Sequence, residues 1–208
     1  MRAEAPGGFE PASLRRWIAP AVVAALLLAV LAMMLGRELV SPDAPDRPAR
    51  AARTAKPDFV RFQDPAGGIS IVRPAGWRQL TPPNPEVRLL AQGDEASMLV
   101  RMTNLGVKVG PQSLGRAREL TDKLVRSAGQ AKPLRRRRRV TLGGLPGYLY
   151  LYTFRDSNTG ERGAHAHYFL FRGKTLITIV FQTASAERLA RFAPLFDRLG
   201  GTLQSTPG

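Results

Sequence analysis

The chain has 208 residues, with 31 Lys and Arg against 16 Asp and Glu, two His and no Cys, and its formal net charge is +15. That length suits one domain of ordinary size with a tail or anchor, and an apolar share of 44% is enough for a core, which excludes a wholly disordered chain. The missing Cys excludes disulfides, thiol catalysis, zinc fingers, iron–sulfur clusters and a lipidated N-terminal cysteine, and two His leave little room for a histidine-rich metal site. Only five of the basic residues are Lys. Such an Arg bias is what a GC-rich coding sequence yields; attraction to an anionic partner is the competing reading. Residues 57–208 carry +12 of the total, so the folded part holds most of the excess.

Residues 1–16 form a short N-terminal tail. From Ile18 to Leu35 no residue is charged, and with Trp17 and Gly36 the apolar stretch reaches 17–36. About 20 residues make ~30 Å of helix, the thickness of a hydrocarbon core. Arg15 and Arg16 stop the run on one side, Arg37 and Glu38 on the other, and Trp17 sits where an interfacial aromatic belongs. A core helix would show a polar face, and a cleaved signal has a shorter apolar region, so a single-pass membrane helix is expected. Basic residues flank the run on both sides, with Arg37, Arg47, Arg50, Arg53 and Lys56 on the C-terminal side, so the positive-inside rule does not decide. Only the tight Arg15-Arg16 pair favours an inside N-terminus, and with the resemblance given below the C-terminal domain is expected outside the cytoplasmic membrane. Residues 37–57 hold Pro42, Pro45, Pro48 and Pro57 among five Ala and scattered charge, with no apolar periodicity. They read as an inert, extended spacer of up to ~60 Å.

The domain proper is expected over 58–204, with a short tail at 205–208. Phe59–Phe62 and Ile69–Val72 predict two strands around the turn Asp64-Pro65-Ala66-Gly67-Gly68, and Val87–Ala91 and Met98–Met102 two more around Gln92–Glu95. Leu114, Ala117, Leu120, Leu124, Val125 and Ala128 recur at helical spacing behind Ser113 as N-cap, with Gly129 as the stop. A meander follows: Arg135–Leu142, Gly147–Arg155, Arg162–Phe171 and, after a turn at Arg172-Gly173, Lys174–Gln182. A last helix over Ser185–Leu199 carries Leu189, Phe192, Phe196 and Leu199 on one stripe, and Pro194 should kink or split it. Apolar residues on both faces of the late strands predict a sheet covered on both sides. The fold class is α+β, an antiparallel sheet meander sandwiched by helices.

Three groups are candidate sites. Arg135–Arg139 is a run of five arginines; strand alternation puts Arg135, Arg137 and Arg139 on the solvent face as anion-binding candidates and Arg136 and Arg138 on the face of Val140 and Leu142. Burying those two is costly, so that end should overrun the sheet or lie on its edge. Tyr148, Tyr150, Tyr152 and Phe154 share one strand face, which suits stacking on a ligand or partner, or packing under a helix. His165 and His167 project together and are weak metal candidates, with Asp156 or Glu161 as a third ligand. No nucleophile-elbow, zincin, P-loop or paired-carboxylate pattern occurs, and no cofactor is implied.

The segment Phe62-Gln63-Asp64-Pro65-Ala66-Gly67-Gly68-Ile69-Ser70-Ile71-Val72-Arg73-Pro74-Ala75-Gly76-Trp77 resembles the start of PsbP-like domains, of the form D-x-x-G-(F/I)-x-(I/L)-x-x-P-x-G-W. The order of elements over about 59–204 is also similar, and Val140–Gly147 fits the family's strand-turn into the meander. In high-GC Gram-positive bacteria such domains look like ectodomains of single-pass membrane proteins. The resemblance implies a non-catalytic binding or assembly domain and brings no catalytic residues. The expected function is therefore an extracytoplasmic binding module, held in the membrane by 17–36, for a protein partner or an anionic envelope component. A cytoplasm-facing nucleic-acid binder, less expected, would use the +12 domain, and a metal-dependent hydrolase would use His165 and His167.

Overall fold

The computed structural model describes residues 59–128, 130–155 and 160–206. The N-terminal tail, the expected membrane helix, the whole spacer, Asp58, Gly129, the turn residues 156–159 and the last two residues lie outside the described residues. Among the described residues no helix is long and apolar enough to cross a membrane.

Among the described residues ten strands and two helices follow one another: β1 (Phe59–Asp64), β2 (Ile69–Pro74), β3 (Arg78–Gln79), β4 (Val87–Gln92), β5 (Ala96–Val109), α1 (Leu114–Arg126), β6 (Lys132–Pro133), β7 (Arg138–Leu142), β8 (Leu145–Arg155), β9 (Arg162–Thr183), α2 (Ala186–Gly201) and β10 (Gln204–Ser205). The large sheet runs β3-β4-β5-β9-β8-β6, with β7 also on β8, and all its pairs are antiparallel. β1, β2 and β10 form a separate small sheet, which the sequence pattern does not distinguish from the large one.

β9 is 22 residues of extended chain, yet it doubles back on itself. The rings of Tyr168 and Phe181 are 6.2 Å apart, and His165 Nε2 is 2.9 Å from Gln182 Oε1. A straight strand of that length would span about 70 Å. The bend is where the sequence places it, at Arg172-Gly173, with Gly173 at φ 58° in the region open to glycine. The first half pairs with β8 and the second with β5.

Alternation deals each strand's side chains to two different cores. Met98, Val100, Ile177, Ile179 and Phe181 face α2 and the small sheet, where Ile69, Ile71, Leu189, Phe196 and Leu199 meet them. Phe181 stacks on Phe196 at 4.7 Å and 11°. Tyr148, Tyr150, Tyr152, Phe169 and Phe171 face α1, through Leu114, Ala117 and Val125. The sheet is thus covered on both sides, as expected.

Both helix expectations need correction in detail. α2 is not split at Pro194 but runs unbroken from Ala186 to Gly201. Proline removes one amide donor, and the burial of Leu189 before it and Phe196 and Leu199 after it holds the two sides in one helix. Ser185 caps it by accepting from Arg188 N. Ser113 precedes α1, but its hydroxyl accepts from Gly110 N at 2.9 Å and makes no cap bond to the helix. α1 ends at Arg126, with Ser127 as its C-cap, before the expected Gly129.

Candidate functional site

The arginine run sits on the sheet edge, but the strand begins at Arg138 and not at Arg135. β6 and β7 share the outer edge of β8. Pro133 lies opposite Tyr152, Leu134 N donates to Leu151 O at 2.8 Å, and Arg138 lies opposite Leu149. Arg135, Arg136 and Arg137 therefore face the single residue Tyr150 and project as a bulge. All five arginines are exposed: Arg138 shares the β7 face of Val140 and Leu142, as alternation expects, but lies on the sheet edge, while Arg135, Arg136 and Arg137 leave the ladder and follow no alternation. Edge placement and the interrupted strand leave Arg136 and Arg138 unburied. Arg137 pairs with Asp122 of α1 at 3.5 Å. Sequence reasoning missed that partner, because only the seating of α1 brings it to the edge.

The tyrosine stripe is core and not an open stacking surface. Tyr148 and Tyr150 are buried under α1, and Tyr152 is 1% exposed. Each hydroxyl has a partner, as a buried phenol requires. Tyr148 donates to Leu114 O at 3.0 Å. Tyr150 donates to Asp122 Oδ1 at 2.7 Å and lies 2.7 Å from Thr121 Oγ1. Burial raises the pKa of both Tyr150 and Tyr152.

Tyr152 stands between the two histidines. Its hydroxyl is 3.0 Å from His165 Nδ1 and 2.9 Å from His167 Nδ1, and His165 Nε2 is 2.9 Å from Gln182 Oε1. The amide oxygen can only accept, so His165 carries its hydrogen on Nε2 and its Nδ1 is a bare acceptor. Tyr152 donates to that Nδ1 and accepts from His167 Nδ1–H. This assignment leaves His167 Nε2 as a buried acceptor, and it has no partner among the described residues. His167 stacks on Phe169 at 3.9 Å and His165 on Phe154 at 4.2 Å. Burial holds both rings neutral: His165 is pushed down to about 4, with the Gln182 bond opposing, and His167 well below the ordinary histidine value, helped by His165. Three of the four ring nitrogens thus serve the core. Among the described residues no group of three or more His, Cys, Asp or Glu comes together, and Asp156 lies outside them. The geometry does not set His165 and His167 at an open metal or hydrolytic site.

The opening motif also has a structural use. Asp64 Oδ1 accepts from Gly67 N at 2.9 Å, Gly68 takes φ 61°, and Arg172 donates to the carbonyls of Gly67 and Gly68 at 2.6 and 2.9 Å. The turn is thereby stapled to the bend of β9. Beside it an open groove runs between Phe62, Pro65, Pro82 and Pro85, and its two charged groups, Asp64 and Arg88, pair with each other at 3.5 Å.

No family model matches the chain, and no curated protein does. Among solved structures, LpqN of Mycobacterium tuberculosis, described as involved in cell envelope biogenesis, aligns with a TM-score of 0.50 at 13% identity over 72% of this chain and 92% of its own. Cyanobacterial PsbP from Synechocystis aligns at 0.47 and 15% identity, over 76% of this chain and 99% of its own. The Ran-binding protein Mog1p of Saccharomyces cerevisiae aligns at 0.46 and 12%, over 72% and 96%. At such identities the likeness is one of fold. With the motif turn, the covered meander and the two flanking helices in place, the domain of this chain has a fold similar to that of LpqN, in keeping with the PsbP-like resemblance of its opening motif.

Proposed function

We propose that this chain is a single-pass membrane protein that displays its PsbP-like domain outside the cytoplasmic membrane as a non-catalytic binding module. Its ligand is a protein partner or an anionic component of the envelope. The observation that carries this reading is the arginine edge: five exposed guanidinium groups at an interrupted strand, of which only Arg137 has an ion-pair partner among the described residues. Unpaired and exposed, these charges are available to an anionic ligand or an acidic partner surface. The apolar stretch 17–36 and the Pro-rich spacer supply the anchor and the reach. The fold shared with an envelope-biogenesis protein supports the location.

A reporter enzyme active only outside the membrane, fused after Gly208, tests the reading. Activity is the expected result. A reporter that works only in its cytoplasmic form overturns it and leaves the nucleic-acid-binding alternative.

A further inference from the structure

We propose that the basic corner built from the end of α1, β6 and the arginine bulge docks onto anionic phospholipid headgroups of the membrane that holds the chain. The anchoring part rests on the function proposed above; the docking surface rests on the domain alone. From Lys123 to Arg155 the sequence has nine basic residues and no acidic one, and all nine are exposed. Folding gathers them. Lys123 and Arg126 occupy the last turn of α1, and the Arg137–Asp122 pair joins that helix to the bulge. The corner therefore has a dense positive field, with Asp122 and Glu119 of α1 at its margin.

Two further observations choose lipid over nucleic acid. Leu134, next to Arg135, is 41% exposed, one of three large apolar side chains so exposed among the described residues. Guanidinium groups seat on phosphate oxygens while an adjacent leucine enters the acyl boundary. A nucleic acid offers the phosphates but no apolar layer. The unpaired bases of a single strand would also need aromatic platforms, and Tyr148, Tyr150 and Tyr152 are buried under α1. A tether of 21 residues also keeps the corner at high local concentration near the bilayer.

The chain has no cysteine, so one introduced thiol labels uniquely. The full-length protein is placed in nanodiscs with a fluorophore on Thr141→Cys in β7 or, as control, on Gln79→Cys in β3 at the opposite edge of the sheet. Lipid-borne quencher should dim the Thr141 probe in discs containing phosphatidylglycerol. It should leave that probe bright in pure phosphatidylcholine and the Gln79 probe bright in both. Salt at about 0.5 M should restore the signal. Each arginine at such a surface contributes about fivefold, so Arg135→Ala/Arg136→Ala/Arg138→Ala/Arg139→Ala should free the domain, and the fourfold Arg→Lys variant should keep most docking. Equal quenching in phosphatidylcholine, or quenching that survives the alanine variant, overturns docking. Duplex DNA binding that phosphatidylglycerol vesicles cannot compete away also overturns it. A chain that does not co-elute with discs overturns the anchor instead, and flotation of the same chain with phosphatidylglycerol vesicles then decides docking separately.

Discussion

The two faces of the large sheet are built from the same strands but held by different physics. Under α2 the contacts are mostly aliphatic and phenyl, Met98, Val100, Ile177, Ile179 and Phe181 against Leu189, Phe196 and Leu199, with one phenol, Tyr168, donating to Asp197. Under α1 the apolar contacts of Leu114, Phe169, Phe171 and Leu176 are joined by three phenols and two imidazoles, each hydroxyl with a partner. β8 alone supplies Leu149 to one face and Tyr148, Tyr150 and Tyr152 to the other. Apolar contact is indifferent to proton concentration and to direction. The tyrosine–histidine face is sensitive to both, because each bond in its chain fixes the tautomer of the next. The α2 face should therefore respond to lost volume, and the α1 face to lost hydrogen bonds and to acid.

The largest effect should come from Phe196→Ala. Its ring is 1% exposed and lies between Phe181 and Phe192, so truncation removes transfer free energy and leaves a cavity, about 3–5 kcal/mol in urea unfolding. A loss under about 1 kcal/mol would mean that α2 is not seated as described.

Acid should act on the other face. His165 and His167 are neutral when folded because burial lowers their affinity for protons, whereas the unfolded chain takes those protons below about 6.5. The stability they hold is complete above that pH and drains away as pH falls toward 4. His165 alone accounts for on the order of 3 kcal/mol at the acid end. Between about pH 6.5 and 5 most carboxylates remain ionised, so the slope there reports the histidines. Stability measured by denaturant at stepped pH should fall through that window, and a flat profile would contradict the neutral network. Within the same face, Tyr152→Phe deprives two buried imidazole nitrogens of their shared partner and should cost roughly 1–3 kcal/mol.

Much of this contrast was legible in the sequence. Period-two alternation gave Tyr148, Tyr150, Tyr152 and Phe154 one face, and Arg172-Gly173 marked the bend. What was not legible depended on register between distant strands. Tyr152 meets His165 and His167 only because β8 and β9 pair with Tyr152 opposite His165. A one-residue slip would turn the whole tyrosine set toward α2. β3, β6 and β10 are two residues each, too short to show any period. The arginine run misled for a related reason: alternation assumes an uninterrupted strand, and the bulge at Arg135–Arg137 breaks it where burying charge would cost most. Asp122 gave no local sign of its role, since on the helical pattern it is one polar residue on the outer face of α1.

That aspartate supplies the smallest and most discriminating test, because it touches both the polar face and the arginine edge. Its Oδ1 accepts from Tyr150 and lies 3.5 Å from Arg137 Nη1. Asp122→Asn keeps an oxygen for the phenol and removes the charge for the guanidinium. The Asp122 and Arg137 side chains are 20% and 36% exposed, so solvent screens the pair, and the expected loss is under about 1 kcal/mol, shrinking further in salt. In a double-mutant cycle with Arg137→Ala the coupling should be about 0.5 kcal/mol. The same substitution should raise affinity for phosphatidylglycerol vesicles, since it deletes an acid that borders the basic corner. A loss of several kcal/mol would show Asp122 to be a keystone of the α1 face, with the arginine bulge held in place for the sake of the fold. A small loss with tighter vesicle binding would show that the α1 face stands without the pair and that the bulge is free to serve the surface.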